Sequence, residues 1–211
     1  ISSLSLDNSN FGCSNVGSNT VTLTVTDVNN NQSSCAATIT VEDNIAPIAI
    51  CQDVTVQLDG NGQGTTTAQD VDNGSNDACG IASLSLNNAS FSCSDVGSNT
   101  VTLTATDVNG NSSTCTANVT VEDNVPPIAN CQDVTVQLDA NGSGSTNANM
   151  VNNGSTDNCA VASLSLDNTS FGCADVGPNT VTLTVTDVNS NQSSCTATVT
   201  VEDNIAPIAV C

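Results

Sequence analysis

The sequence predicts an all-β chain: tandem immunoglobulin-like β-sandwich repeats with a period of 80 residues. Three observations carry that prediction. The stretch Thr100 to Asn124, TVTLTATDVNGNSSTCTANVTVEDN, has near-copies from Thr20 to Asn44 and from Thr180 to Asn204, and a fixed period of this kind marks a repeat architecture. Within each copy apolar and polar residues alternate, Val101, Leu103 and Ala105 against Thr102, Thr104 and Thr106, the two-residue period of a strand with one buried face. Turn-forming clusters interrupt the alternation about every 8 to 12 residues and no helical periodicity occurs, a pattern that points to a sandwich of short strands, about seven per repeat.

The frame assigns residues 1–50 to the C-terminal part of one repeat, 51–130 and 131–210 to two complete repeats, and Cys211 to the start of a further one. Both ends fall inside the repeat frame, so the sequence reads as part of a longer array. In the repeat 51–130 the first strand is Cys51 to Leu58, with Val54, Val56 and Leu58 on one face, and Asp59-Gly-Asn-Gly-Gln-Gly64 turns it. Thr65 to Ala68 reads as a short second strand, followed by the loop 69–79, dense in oxygen donors. Ala82, Leu84 and Leu86 form the inward face of a third strand, Asn87-Asn88 turns it, and Phe91 with Cys93 marks another. Asp95 to Thr100 leads into a β-hairpin whose turn is Asp107-Val-Asn-Gly-Asn111 and whose second arm points Cys115, Ala117, Val119 and Val121 inward. The hairpin exits directly into Glu122-Asp123-Asn124-Val125-Pro126-Pro127, where one repeat hands over to the next.

Lys, Arg and His are absent, and the net charge is -21. Such a polyanion repels nucleic acid and anionic membrane, and only cations from solution can neutralise it. Charged residues are nevertheless only 10% of the chain, and the strand-forming remainder argues for a folded protein over a disordered one. No apolar run is long enough to span a membrane. Without His, Lys, Arg or Tyr, and with oxidised cysteines, the chain lacks the usual nucleophiles and bases, so no enzyme is expected.

A repeat of this size with a Val, Leu and Ala core buries only about 60% of its surface and needs staples. Each complete repeat carries four cysteines: Cys51, Cys79, Cys93 and Cys115, then Cys131, Cys159, Cys173 and Cys195. With no CxxC and no histidine, the count fits disulfides formed outside the cytosol, which places the chain at the cell surface or in the extracellular space. If the first and last strands run the same way, Cys51 lies beside Cys115, leaving Cys79–Cys93 across the central hairpin. The counterparts are Cys131–Cys195 and Cys159–Cys173. Cys51–Cys79 with Cys93–Cys115 remains an open alternative, and Cys13, Cys35 and Cys211 have partners outside the sequence.

The same directions gather acids at the end of each repeat that meets its predecessor. The hairpin turns bring Asp27, Asp107 and Asp187, and the oxygen-rich loops bring Asp70, Asp72, Asp77 and Asp157. The exits bring Glu42-Asp43-Asn44, Glu122-Asp123-Asn124 and Glu202-Asp203-Asn204. Carboxylates converging without a basic partner require a cation, and a flexible, all-oxygen ligand set suits Ca²⁺. The competing reading is a solvated polar rim. Because Asp70 and Asp72 become Met150 and Asn152, the junction around 122–133 is expected to bind more weakly than that around 42–53. The EF-hand pattern occurs nowhere, so any site is built from separated segments.

At TVTLTATDVNGNSSTCTANVTVEDN and the opening CQDVTVQ the sequence resembles the hyalin-type (HYR) repeats of large secreted proteins of flavobacteria and their relatives, among them the surface adhesins of gliding motility. The resemblance implies an immunoglobulin-like fold, export by type IX secretion, and a role in adhesion or matrix. The exit VEDNIAP, residues 41–47, is also similar to the calcium-binding linker of cadherins, matching it at Asp43, Asn44, Ala46 and Pro47. The expected function is an extracellular structural or adhesive array, stapled by disulfides and stiffened by Ca²⁺. Its partners are further copies of the repeat in cis, and other chains if it assembles into a filament. The alternative is a ligand-binding module, with rows such as Thr22, Thr24 and Thr26 presented to glycan or ice.

Overall fold

The structure is a computed structural model that describes residues 1–210; Cys211, where the sequence frame opens a further repeat, lies outside them. The strands in chain order begin with β1 (Ser3–Leu6), β2 (Gly17–Thr26) and β3 (Gln32–Val41). The next repeat contains β4 (Val54–Gln57), β5 (Gln63–Thr65), β6 (Ile81–Leu86), β7 (Ser90–Ser92), β8 (Gly97–Asp107) and β9 (Ser112–Glu122). The last contains β10 (Val134–Gln137), β11 (Ser143–Ser145), β12 (Val161–Leu166), β13 (Ser170–Gly172), β14 (Gly177–Asp187) and β15 (Gln192–Glu202). Two one-turn helices, α1 (Ala68–Val71) and α2 (Ala148–Val151), lie between β5 and β6 and between β11 and β12. No helix among the described residues is long and apolar enough to cross a membrane.

The fold is an all-β sandwich, seen in full in the repeat 131–210. Its main sheet has the order β10-β15-β14-β12, and β11 with β13 forms a second, two-stranded sheet. Alternation sets the layers. Val181, Leu183 and Val185 of β14 and Ala197, Val199 and Val201 of β15 turn inward, and Phe171 of β13 and Val151 of α2 meet them in one buried cluster. The first strand lies parallel to the last, with Val134 opposite Val199. The two complete repeats have six strands each among the described residues, one fewer than the turn spacing predicts, and the middle repeat has the same strand order, β4-β9-β8-β6 with β5-β7.

The stretch Thr65 to Ala68 is not the second strand. That strand ends at Thr65, and α1 follows because Thr67 and Asp70 cap each other: Asp70 N–H donates to Thr67 Oγ1 at 3.3 Å and Thr67 N–H to Asp70 Oδ2 at 2.8 Å. This is a capping box with Asp in the acidic position, whose T-x-x-D signature was present in the sequence.

Four disulfides connect the described residues. Cys51–Cys115 and Cys131–Cys195 tie first strand to last within a repeat. The parallel register explains them, since Val134 opposite Val199 brings Cys131 beside Cys195. The expected pairs Cys79–Cys93 and Cys159–Cys173 do not form. Cys13–Cys79 and Cys93–Cys159 form instead, each joining one repeat to the next, and Cys35 and Cys173 are free and exposed. Strand length is the reason. Cys159 precedes β12, whose Val161 pairs with Asp187 at one end of β14, whereas Cys173 opens the 3-10 turn just before Gly177 at the other. The 11 residues of β14 rise about 3.4 Å each, and cysteines so separated cannot approach the roughly 7 Å between Cα atoms that a disulfide tolerates.

The chain forms two compact units that cut across the repeat frame. One comprises Ile1–Val54, Thr66–Ala89 and Thr100–Asn118; the other comprises Thr55–Thr65, Ser90–Asn99 and the described residues from Val119 onward. The first contains the sheet β1-β2-β3, all antiparallel, together with Cys13–Cys79 and Cys51–Cys115. The second contains the complete sandwich 131–210 with Cys93–Cys159 and Cys131–Cys195.

Candidate metal centre at the repeat junction

In the second unit three segments meet: the exit after β9, the loop before β12 and the turn between β14 and β15. Asp187 closes β14 and is only 2% exposed. Its Oδ1 accepts the N–H groups of Asn189 at 2.9 Å and Asn191 at 2.8 Å, which folds the turn around the carboxylate. The Asn191 amide donates to Asp187 Oδ2 at 2.8 Å and to the backbone carbonyl of Asp123, in the preceding repeat's exit, at 2.9 Å. One side chain thus seats the turn on its neighbour.

Asp157 uses Oδ2 to accept the N–H groups of Cys159 and Ala160, at 2.9 and 3.1 Å, while its Oδ1 is buried without a hydrogen bond. Asn158 donates to the Asp59 carbonyl at 3.0 Å and to Asp123 Oδ1 at 3.1 Å. Asp123 is 5% exposed, and its Oδ2 is also buried and unpartnered, as are Oδ1 of Asn158 and of Asn189. One carboxylate oxygen each from Asp123, Asp157 and Asp187 lies within 4.8 Å of the others. Oxygens sharing one calcium ion at about 2.4 Å are at most about 4.8 Å apart, so the spacing fits. The donors are hard oxygens, and the sequence contains no basic side chain to neutralise them.

The first unit repeats the arrangement with one acid fewer. Asp43 Oδ2 is buried and unpartnered, and Asp77 Oδ1 accepts the N–H groups of Cys79 and Gly80 at 2.7 and 3.2 Å. Asn111 bridges Asp107 Oδ2 at 2.8 Å and the Asp43 carbonyl at 3.0 Å. Asp43 and Asp77 group with the sulfur of Cys79, but that sulfur is bonded to Cys13 and is no thiolate ligand. Asp107 is held by its turn. Burial pushes its carboxyl up, and the hydrogen bonds from Asn111, Asn109 and Gly110 outweigh that and keep it below the ordinary value of 3.8. Asp27 is also lowered, first by the side chain and then by the N–H of Asn31.

The remaining expected ligands are placed elsewhere. Asp70 caps α1, and Asp72 accepts from the N–H groups of Gly74 and Ser75 at 3.2 and 3.0 Å. Asn152 does the same for Ser155 at 3.0 Å. The changes to Met150 and Asn152 therefore fall on a helix cap and a turn, while three carboxylates group at the junction around 122–133 and two at that around 42–53. Glu122 accepts from Gln57 Nε2 at 2.6 Å and Asn124 donates to Gln57 Oε1 at 2.7 Å, clamping the last strand to the first, and Glu202 and Asn204 treat Gln137 alike. Asn44 donates to Glu42 at 3.4 Å, and Asp203 accepts from Ile205 N–H at 3.1 Å. The sequence reading missed Asn158, Asn111 and Asn191. For the last two the signal was available, since the spacing Asp-x-x-x-Asn recurs at Asp27–Asn31, Asp107–Asn111 and Asp187–Asn191.

No family model matches the chain, and no curated protein matches it in sequence. Among solved structures the chain is similar to mouse clustered PcdhgC3 EC1-3, with a TM-score of 0.38 and 15% identity over 88% of this chain and 77% of that one. Mouse Cadherin-23 EC22-24 gives a TM-score of 0.39 and 14% identity over 88% and 74%. Protocadherin Gamma B7 extracellular cadherin domains 1-4 gives 0.36 and 14%, over 91% of this chain and 59% of that one.

Proposed function

We propose that the chain is part of an extracellular structural or adhesive array of the HYR type, whose junctions bind Ca²⁺ and are stiffened by it. The observation that supports this most is the grouping of the Asp123, Asp157 and Asp187 carboxylates, two of which carry a buried, unpartnered oxygen, Asp123 Oδ2 and Asp157 Oδ1, in a chain without a single basic side chain. A buried carboxylate oxygen with no donor is costly, and a bound divalent cation supplies the missing charge. Asp123, Asp157 and Asp187 would hold the ion, drawing together three segments from two repeats. Four disulfides among the described residues support residence outside the reducing cytosol.

Calorimetry with calcium and with a chelator tests the reading. An ion at one hundred times its dissociation constant stabilises by about 2.7 kcal/mol, so calcium is expected to raise the unfolding temperature, and Asp123→Asn to reduce that gain. Unfolding curves that superimpose in the two conditions would remove calcium from the account.

A further inference from the structure

One end of repeat 131–210 carries a surface whose counterpart, in the preceding repeat, is filled. There the loop Asp157-Asn158-Cys159 sits against the turn Asp59 to Gly62, the 3-10 turn at Cys93 and the exit residue Asp123. Asn158 donates to the Asp59 carbonyl and to Asp123 Oδ1, and Cys159 is bonded to Cys93. Gly62 has φ +71, and a Cβ there would meet the Cys93 sulfur at 2.5 Å and the Asn158 carbonyl oxygen at 3.0 Å. Both the cysteine and the loop therefore press on a stretch of backbone with no room for a side chain.

Eighty residues on, the same wall stands without a loop against it. Asp139 folds its turn as Asp59 does, accepting the N–H groups of Asn141 and Ser143 at 2.9 Å each, where Asp59 accepts those of Asn61 and Gln63 at 2.8 and 3.0 Å. Gly142 has φ +72. The Cys173 sulfur lies 3.7 Å from the Gly142 carbonyl, as that of Cys93 lies 3.9 Å from Gly62. Asp139, Gly142, Cys173, Asp203 and Pro207 line an open cavity of about 620 Å³, and the Cys173 thiol is free and exposed.

We propose that this cavity is a docking socket for the Asp-x-Cys loop of another repeat of the same kind, closed by a disulfide to Cys173. The loops at Cys79 and Cys159 are already bonded within the chain, so the occupant is a further repeat. Its loop amide would reach the Asp139 carbonyl and the Asp203 carboxylate, the partners that Asn158 uses upstream. In thiol exchange the Cys173 thiolate attacks a loop cysteine held as a mixed disulfide with glutathione. The new sulfur–sulfur bond forms as the old one breaks, and glutathione leaves as thiolate and takes up a proton. The inference rests on the array reading but not on its calcium.

The test extends the full chain after Cys211 by a copy of residues 132–210, refolds it in glutathione buffer with calcium or with chelator, and maps disulfides by mass spectrometry of unreduced digests. Cys173 is expected to be joined to the copy's counterpart of Cys159 in both conditions. Asn158→Ala inside the copy is expected to lower the yield of that bond about tenfold at fixed glutathione, as the loss of the two hydrogen bonds that Asn158 makes upstream implies. The proposal is overturned if Cys173 remains alkylatable beside the four existing bonds, if the copy's loop cysteine pairs within its own repeat or with Cys35, or if the alanine copy links equally well. A bond that forms with no effect of calcium on unfolding defeats the metal reading and leaves the socket standing.

Discussion

At the scale of single residues, one turn aspartate per repeat does more than its charge indicates. Asp107 and Asp187 are each 2% exposed, and each spends its oxygens on its own turn before any cation is considered. The position three residues on requires a left-handed backbone: Gly110 has φ 92, Ser190 φ 76 and Asn30 φ 67. A residue with a Cβ pays for that conformation where glycine does not, so Ser190→Gly is expected to stabilise the repeat by up to about 1 kcal/mol, read as a shift in the denaturant midpoint. Protonation gives a second test. The Asp107 carboxyl is held below its unfolded value of 3.8, so its contribution to stability is complete above that value and is lost as pH falls through the lower, folded one. Asp59 and Asp139 are lowered as well, first by the N–H groups of Gln63 and Ser143, and act in the same direction. Unfolding free energy is therefore expected to decline below about pH 3.8, and Asp107→Asn to make that decline shallower; an unchanged acid limb would contradict the assignment.

At the scale of elements, the parallel pairing of first and last strand organises each sandwich. Strand direction, inferred from alternation and from where the chain must leave, was legible enough to place Cys51 beside Cys115. The length of β13 was not. It has three residues and pairs with β11 rather than with β12, so it does not turn the chain back toward Cys159, and Cys173 stands at the far end of β14. A strand's residue types disclose which face is buried, but not which sheet it joins when it is this short. Cys131–Cys195 closes 64 residues, and replacing both cysteines by alanine is expected to cost about 3 to 4 kcal/mol, measured by chemical denaturation against the unaltered chain under non-reducing conditions.

At the scale of the whole molecule, the covalent pattern alternates. A bond inside a repeat is followed by a bond to the next, so successive repeats are linked through cysteine as well as through backbone. A net charge of -21 opposes compactness through self-repulsion. Raising NaCl toward 0.1 M, where screening acts over about 10 Å, is expected to raise the unfolding temperature in the presence of chelator; a flat or falling dependence would show that the acids are too dispersed to repel one another.

By itself the sequence determined the period, the all-β class, the buried faces and the lack of any internal counter-charge, because alternation and composition are properties of neighbours along the chain. Only the tertiary structure decided that Cys79 and Cys93 bond to different repeats, that Asp70 and Asp72 serve a cap and a turn, and that Asp123, Asp157 and Asp187 converge with Asn158 and Asn191 bridging the junction. Those outcomes depend on which ends of separate strands come together, and that is set by strand length and sheet membership, quantities that a local pattern does not contain.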